Sequence, residues 1–264
     1  MRQLRENGIK RKLERGEIVS VVEGFHTAEI VDFLGPMGFD GVWVETEHGA
    51  IDFREIQNIT RSCDLWGMTS LIRVNRVDYG LIYRSLDQGA QGVIVPHVDT
   101  AEQAREVVRA SRYAPIGERG MYESRQAYGL DSAEYFQTAN RETLVVVMIE
   151  DIRAVENLPE ILAVDHIDVY FVAPSDLAQS MGLIGQIHHP KVKQTISDAV
   201  ARISDAGRTA GAIAWADTAE EVVEAGARFL MTSWLPYLSA GAKTYLEAVR
   251  RANLKVGYDQ SGGE

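Results

Sequence analysis

Two acids stand at the ends of two apolar runs in the middle of the chain: Glu150 directly after 144–149 (LVVVMI), and Asp176 four residues past 169–172 (VYFV). Runs this short and β-branched, each followed at once by polar residues, read as buried strands of a parallel sheet. Between them, 152–162 carries apolar residues at helical spacing, interrupted at Pro159, so the three pieces make one βαβ unit. In such sheets the carboxyl ends of the strands face the functional side, and acids at neighbouring strand ends converge on one volume. A hard divalent cation, held by one or two carboxylates with waters and substrate oxygens, would relieve their repulsion. That sparing ligand count suits Mg²⁺ or Mn²⁺. Acids at helix starts, stabilised by the positive end of the dipole, account for the same two residues without a metal. Spacing alone leaves both readings open.

Other strand ends carry chemistry too. Glu45-Thr46-Glu47-His48-Gly49 follows a strand at 41–44, Arg73 closes a strand at 69–74, and Pro96-His97 follows a strand at 92–95. Arg73 has the fork geometry to bond a developing enolate or a carboxylate, and His48 is a natural proton carrier because its ordinary pKa lies near neutrality. An ion pair within the mouth would explain Arg73 equally, and a capping or solvated role would explain His48. Pro174-Ser175-Asp176 opens a helix whose free N–H groups offer a second place for a carboxylate. Lysine is missing from the strand ends: Lys10, Lys12, Lys191, Lys193, Lys243 and Lys255 fall in helices, a helix start or the tail, which leaves a Schiff base without a nucleophile. The turns after strands seven and eight, WADTAEE and TSWLPYL, lack the glycines of a barrel phosphate site. These parts fit a 2-oxo acid chelated by a metal and enolised.

The elements that must position these groups alternate along the whole chain. Eight strands with intervening helices predict an α/β fold, a single (β/α)8 TIM barrel over residues 1–255, with a short amphipathic helix in 3–15 capping its amino-terminal mouth. No G-x-G-x-x-G follows the first strand, which weakens a doubly wound dinucleotide-binding alternative. The 30 residues from 113 to 142 read as one long loop, of functional or interfacial use, around Gly117-Glu118-Arg119-Gly120. A last helix is expected over 238–252, and 256–264 as a disordered tail.

Composition narrows the classes. With 264 residues, 45% of them hydrophobic, the chain can bury one large core. A formal net charge of -11 without a basic stripe argues against nucleic acid as a partner. A single cysteine, Cys63, in an apolar helical pattern fits a reducing compartment, and no apolar run has the length of a membrane span or a signal-peptide core. A cytoplasmic location is expected.

Taken together, the motifs resemble a known family. Asn7-Gly8-Ile9-Lys10 through Gly16, Glu47-His48, Val95-Pro96, Gly117-x-Arg119-Gly120, Met148-Ile149-Glu150, Ala173-Pro174-Ser175-Asp176-Leu177 and Met181-Gly182-Leu183-x-Gly185-Gln186 are each weak alone, but their order and spacing are similar to the class II, metal-dependent 2-oxo acid aldolases of the HpcH/HpaI family. The resemblance, which includes 4-hydroxy-2-oxoheptanedioate and 2-dehydro-3-deoxyglucarate aldolases, implies cleavage of a 4-hydroxy-2-oxo acid to pyruvate and an aldehyde through a metal-held enolate. It implies Glu150 and Asp176 as ligands of Mg²⁺, Mn²⁺ or Co²⁺, Arg73 as the stabiliser of pyruvate enolate, and Ser175 and Asp176 beside the substrate. It further implies His48 as acid/base, Asp87 as the residue orienting that histidine, within the chain or from a neighbour, and a hexamer of dimers that exchange the last helix. Glu45 stands where the family usually has aspartate, Ala173 where it has glycine, Met148 where glutamine is common, and His97 where it has an apolar residue. Glu23-Gly24-Phe25-His26 and Thr232-Ser233-Trp234 also depart, so the aldehyde half of the site is rewritten. A citrate synthase-like or citrate lyase-like enzyme on the same scaffold, or a non-catalytic ligand-binding barrel, is the alternative; the retained His48 and Asp87 favour the aldolase over the first, and the retained Glu150, Asp176 and Arg73 over the second.

Overall fold

The computed structural model describes residues 3–24 and 27–255. Eight parallel strands, β1 (Val19–Gly24), β2 (Gly41–Glu45), β3 (Thr69–Arg73), β4 (Gly92–Val95), β5 (Leu144–Ile149), β6 (Val169–Val172), β7 (Ala210–Ile213) and β8 (Ala227–Ser233), close a barrel in chain order. This is the expected (β/α)8 architecture. By contact density the chain groups into two units, Met1–Thr232, which holds the barrel, and Ser233–Glu264.

Alternation along each strand separates two cores. Val21, Trp43, Leu71, Ile94, Val146, Phe171 and Phe229 fill the barrel interior, where Trp43 and Phe229 each meet Phe171 edge-on, at 5.0 and 6.2 Å between centroids. Their neighbours in sequence, among them Val93, Val145, Val147 and Val172, face outward against the helices. The capping helix is present as α1 (Gly8–Glu14), and its Ile9, fully buried, joins the interior cluster from the amino-terminal end. A Cβ on Gly41 would stand 2.7 Å from the Thr69 carbonyl oxygen and 2.8 Å from the tip of Ile9, and the backbone contact cannot give, so glycine is needed there. Glu142 fastens the segment: it accepts the Asn7 N–H at 2.8 Å and pairs with Arg11 at 2.6 Å.

Helices α2 (Ala28–Leu34), α3 (Phe53–Trp66), α4 (Tyr79–Asp87) and α5 (Ala101–Ser111) follow the first four strands, each started by a side-chain cap from Thr27, Asp52, Asp78 or Thr100. The stretch read as a long loop holds a helix, α6 (Ser132–Glu142), capped by Asp131 and packed through Tyr135 and Ala139 on Tyr113. Its charged and amide residues hid a short apolar face. Gly117-Glu118-Arg119-Gly120 is structural within the chain: a Cβ on Gly117 would meet the Arg112 carbonyl at 2.5 Å, and Arg119 is buried. After β5 come α7 (Ile152–Glu156) and α8 (Leu158–Leu162), split near Pro159 as the sequence predicts, then α9 (Pro174–Ser180), α10 (Pro190–Asp205) and α11 (Ala219–Glu224).

The second unit contains α12 (Trp234–Lys255), which starts four residues earlier than periodicity implies because Pro236 falls in its first turn, where a missing N–H costs nothing. None of its described residues is buried. Among the described residues no helix is long and apolar enough to cross a membrane. The proposed tail 256–264, and Phe25 and His26, lie outside the described residues.

Candidate active site

Residues in register on adjacent parallel strands point to the same side of the sheet, and this decides the floor of the site. Trp43 pairs with Leu71, both in the barrel interior, so two residues further on Glu45 and Arg73, also in register, point inward at the carboxyl-terminal rim. Arg73 donates from Nη1 to Glu45 Oε2 at 3.1 Å, and its Nη2 lies 2.5 Å from Glu47 Oε2 and 3.7 Å from Glu150 Oε2. The ion pair expected within the mouth is present, with a nearly buried Arg73 serving three carboxylates.

Glu45 does more than neutralise Arg73. Its second oxygen accepts the backbone N–H groups of Glu47 at 2.7 Å and His48 at 3.1 Å, and the Thr46 hydroxyl donates to the Arg73 carbonyl. The turn that carries His48 is thereby bolted to the rim. The His48 ring itself is largely exposed, with Nε2 3.6 Å from Glu47, too long for a hydrogen bond, so it is available to a substrate.

Glu150 follows β5 and is fully enclosed, at 2% exposure. Burial pushes its carboxyl above the ordinary glutamate range, Arg73 and the His97 N–H pull it back, and Asp176 adds to the rise. Burial raises Glu47 as well, against Arg73, His48 and His97. Carboxylates kept ionised in such surroundings call for cations beyond one guanidinium. Oxygens of Glu150 and Asp176 and a ring nitrogen of His97 all lie within 4.8 Å of one another, and the chemistry of this donor set fits a divalent metal. Asp176 sits in the first turn of α9 beside Ser175, and Ala173 before them supplies no side-chain cap, leaving that turn's N–H groups to other acceptors.

Glu47 and His97 had only a place on the functional face in the sequence reading, without a role. The signal was there: both stand immediately past strand ends. Glu23, in register with the inward-facing Trp43, also points to the interior of β1.

Asp87 goes elsewhere. It is the last residue of α4, which runs back from the end of β3 toward the amino-terminal side, and there it accepts Arg119 Nη2 at 2.6 Å. Helix direction removes it from the mouth, so within the chain it orients Arg119 and not His48. The six lysines lie in α1, α10 and α12, clear of the strand ends, as expected. Cys63 is buried in α3 and burial pushes its thiol up to about 12, which keeps it inert. A cavity of about 660 Å³, lined by Lys10, Arg112, Phe136 and Asp168 among others, opens at the amino-terminal end. Convergent chemistry, and not cavity volume, marks the mouth as the site.

Comparison with known proteins agrees with this arrangement. The sequence pattern of the HpcH/HpaI aldolase/citrate lyase family matches residues 23–233. A hydroxypyruvate/pyruvate aldolase of Roseobacter denitrificans is 39% identical over 232 residues, covering 85% of this chain and 89% of that protein. A 2-keto-3-deoxy-L-rhamnonate aldolase of Escherichia coli K12 is 34% identical, covering 87% of this chain and 88% of the relative. The crystal structure of an HpcH/HpaI aldolase from Desulfitobacterium hafniense superposes with a TM-score of 0.85 at 33% identity, over 91% of this chain and 96% of that one. With acids, a guanidinium and a histidine gathered at the rim of a barrel of this kind, the chain belongs to the HpcH/HpaI aldolase/citrate lyase family and is an aldolase-type carbon–carbon lyase.

Proposed function

We infer that the chain reversibly cleaves a 4-hydroxy-2-oxo acid to pyruvate and an aldehyde in a metal-dependent reaction. The observation that carries this reading is the placement of Glu150 beside Asp176 on one side and, on the other, beside a guanidinium whose ion-pair partners are all carboxylates. The relatives named above act on 2-oxo acids, which supports the substrate class. Glu150 and Asp176 would hold the metal, Mg²⁺, Mn²⁺ or Co²⁺, which as a Lewis acid would polarise the ketone of the 2-oxo acid.

The remaining work falls to the chain. Arg73, fixed by Glu45 and Glu47, directs its N–H groups at the oxygen on which negative charge develops, where a preorganised donor lowers the barrier most. Ser175 and the uncapped first turn of α9 bind the substrate carboxylate. His48, across the mouth from β5 and β6, removes the proton from the 4-hydroxyl as the C3–C4 bond breaks, and the electron pair of that bond forms the enolate. Proton return to the methylene carbon releases pyruvate. In this reading Asp87 anchors Arg119 within its own chain, and any part it takes in orienting His48 is toward the histidine of a neighbouring copy.

Exposed apolar residues of α12, Leu238, Tyr245, Leu246 and Leu254, support an assembly in which neighbouring copies cover this helix, a hexamer built from dimers in our reading. The experiment that tests the function is pyruvate release from a panel of 4-hydroxy-2-oxo acids by chelator-treated protein, with and without added Mg²⁺, Mn²⁺ or Co²⁺. Activity is expected only with metal. Full activity in metal-free protein, or covalent trapping of substrate by borohydride, would overturn it.

A further inference from the structure

We propose that His97 is a third protein ligand of the metal, through Nδ1, and that Glu47 orients it through Nε2. This rests on the metal-dependent reading and adds a nitrogen donor to its two carboxylates.

The backbone supplies the first reason. His97 sits at φ 53°, in the left-handed region that residues other than glycine seldom occupy, and such conformations persist where surrounding contacts over-determine them. Here the contact is with Glu150, whose Oε1 accepts the His97 N–H at 2.9 Å. The same turn folds the imidazole back over that carboxylate, with Nδ1 3.5 Å from Oε1.

The distances supply the second. At 3.5 Å the ring is not hydrogen-bonded to Glu150. A charged imidazolium between two carboxylates would close on at least one of them to about 2.8 Å. Two donors each about 2.1 Å from one ion lie roughly 3.0 Å apart in octahedral and 3.4 Å apart in tetrahedral geometry, so the observed gap is the size of a shared cation. Asp176 completes the triangle, all three donor atoms being within 4.8 Å.

The second ring nitrogen supplies the third. Nε2 faces Glu47 Oε1 at 3.6 Å, and Glu47 is itself held by Arg73. A metal-bound histidine commonly donates its remote N–H to a carboxylate, which fixes its tautomer and orientation. At 3.6 Å the pair is not hydrogen-bonded; when His97 binds the metal its Nε2–H closes on Glu47, so that Glu47 positions His97 and links the metal ligands to the guanidinium. An imidazole donor also shifts preference: oxygen-only sites suit Mg²⁺, whereas nitrogen favours Co²⁺ and Zn²⁺.

The test is spectroscopic and thermodynamic. Pulsed EPR on the Mn²⁺-loaded protein should show the ¹⁴N coupling of a coordinated imidazole, lost in His97→Gly, a change that suits the positive φ, and restored by free imidazole. Competition with a metal indicator should show Co²⁺ binding weakened at least tenfold in His97→Gly and Mg²⁺ binding changed by less than threefold. His97→Asn, which tolerates the left-handed backbone and keeps the N–H to Glu150, should behave as His97→Gly does, so a loss cannot be assigned to the loop. Glu47→Gln should keep the ¹⁴N coupling while weakening Co²⁺ binding about tenfold. Metal binding without ¹⁴N coupling in the parent, or coupling that survives both His97 variants, overturns the assignment of His97 and leaves Glu150 and Asp176 as ligands. Failure of the parent to bind any of these ions overturns both readings.

Discussion

Replacing Arg73 by lysine keeps the charge and removes the fork, and the geometry says what that should cost. The guanidinium reaches Glu45 from Nη1 at 3.1 Å and Glu47 from Nη2 at 2.5 Å, with Glu150 at 3.7 Å, while an ammonium is a point charge that meets one carboxylate well. Hydrogen bonds to charged groups are worth about 1.5–3 kcal/mol, so losing one of these contacts should destabilise the metal-free protein by about 2 kcal/mol. For a chain of this size that corresponds to a fall in Tm of roughly 4–8 °C. In catalysis the lost donor is one aimed at developing charge, worth on the order of 3 kcal/mol, about a hundredfold in rate. The assay is kcat and KM for pyruvate release at saturating metal, with thermal unfolding of the metal-free protein alongside. The loss should fall mainly on kcat. A variant within twofold of the parent in kcat would remove Arg73 from the mechanism, whatever happens to Tm.

Three further outcomes are expected. His48→Ala should depress retro-aldol cleavage by roughly a hundred- to ten-thousandfold while leaving metal affinity, read by indicator competition, unchanged; loss of metal binding would make His48 a ligand instead. Burial by itself would raise Glu142, but Arg141, the Asn7 N–H and Arg11 outweigh it and hold the carboxyl below its ordinary range. Its stabilisation is therefore complete above the unfolded value of about 4.3 and is lost as pH falls through the lower folded value, so Glu142→Gln should be less stable than the parent at pH 7, with the two melting curves converging in acid. Light scattering should give the mass of six chains, and deletion from Trp234 onward should lower it; a monomeric 264-residue chain would contradict the assembly.

Much of this molecule follows from local order in the chain. Eight short apolar runs alternate with amphipathic stretches, caps such as Thr100 and Asp52 mark helix starts, and the acids at 150 and 176 stand where strand ends must present them. Strand and helix periodicities are nearest-neighbour properties, so they survive being read in one dimension. Helix α6 escaped because its apolar face is only Tyr135, Phe136 and Ala139 among polar residues, and its burial depends on Tyr113, more than 20 positions away. Tertiary structure alone decided which strand-end residues meet. Arg73 meets Glu45 because β2 and β3 are in register, and His97 reaches Glu150 because β4 and β5 are neighbours and one residue turns left-handed. Asp87 leaves the site for the opposite reason: its helix runs antiparallel to the strand before it and delivers its last carboxylate to Arg119 at the other end of the barrel.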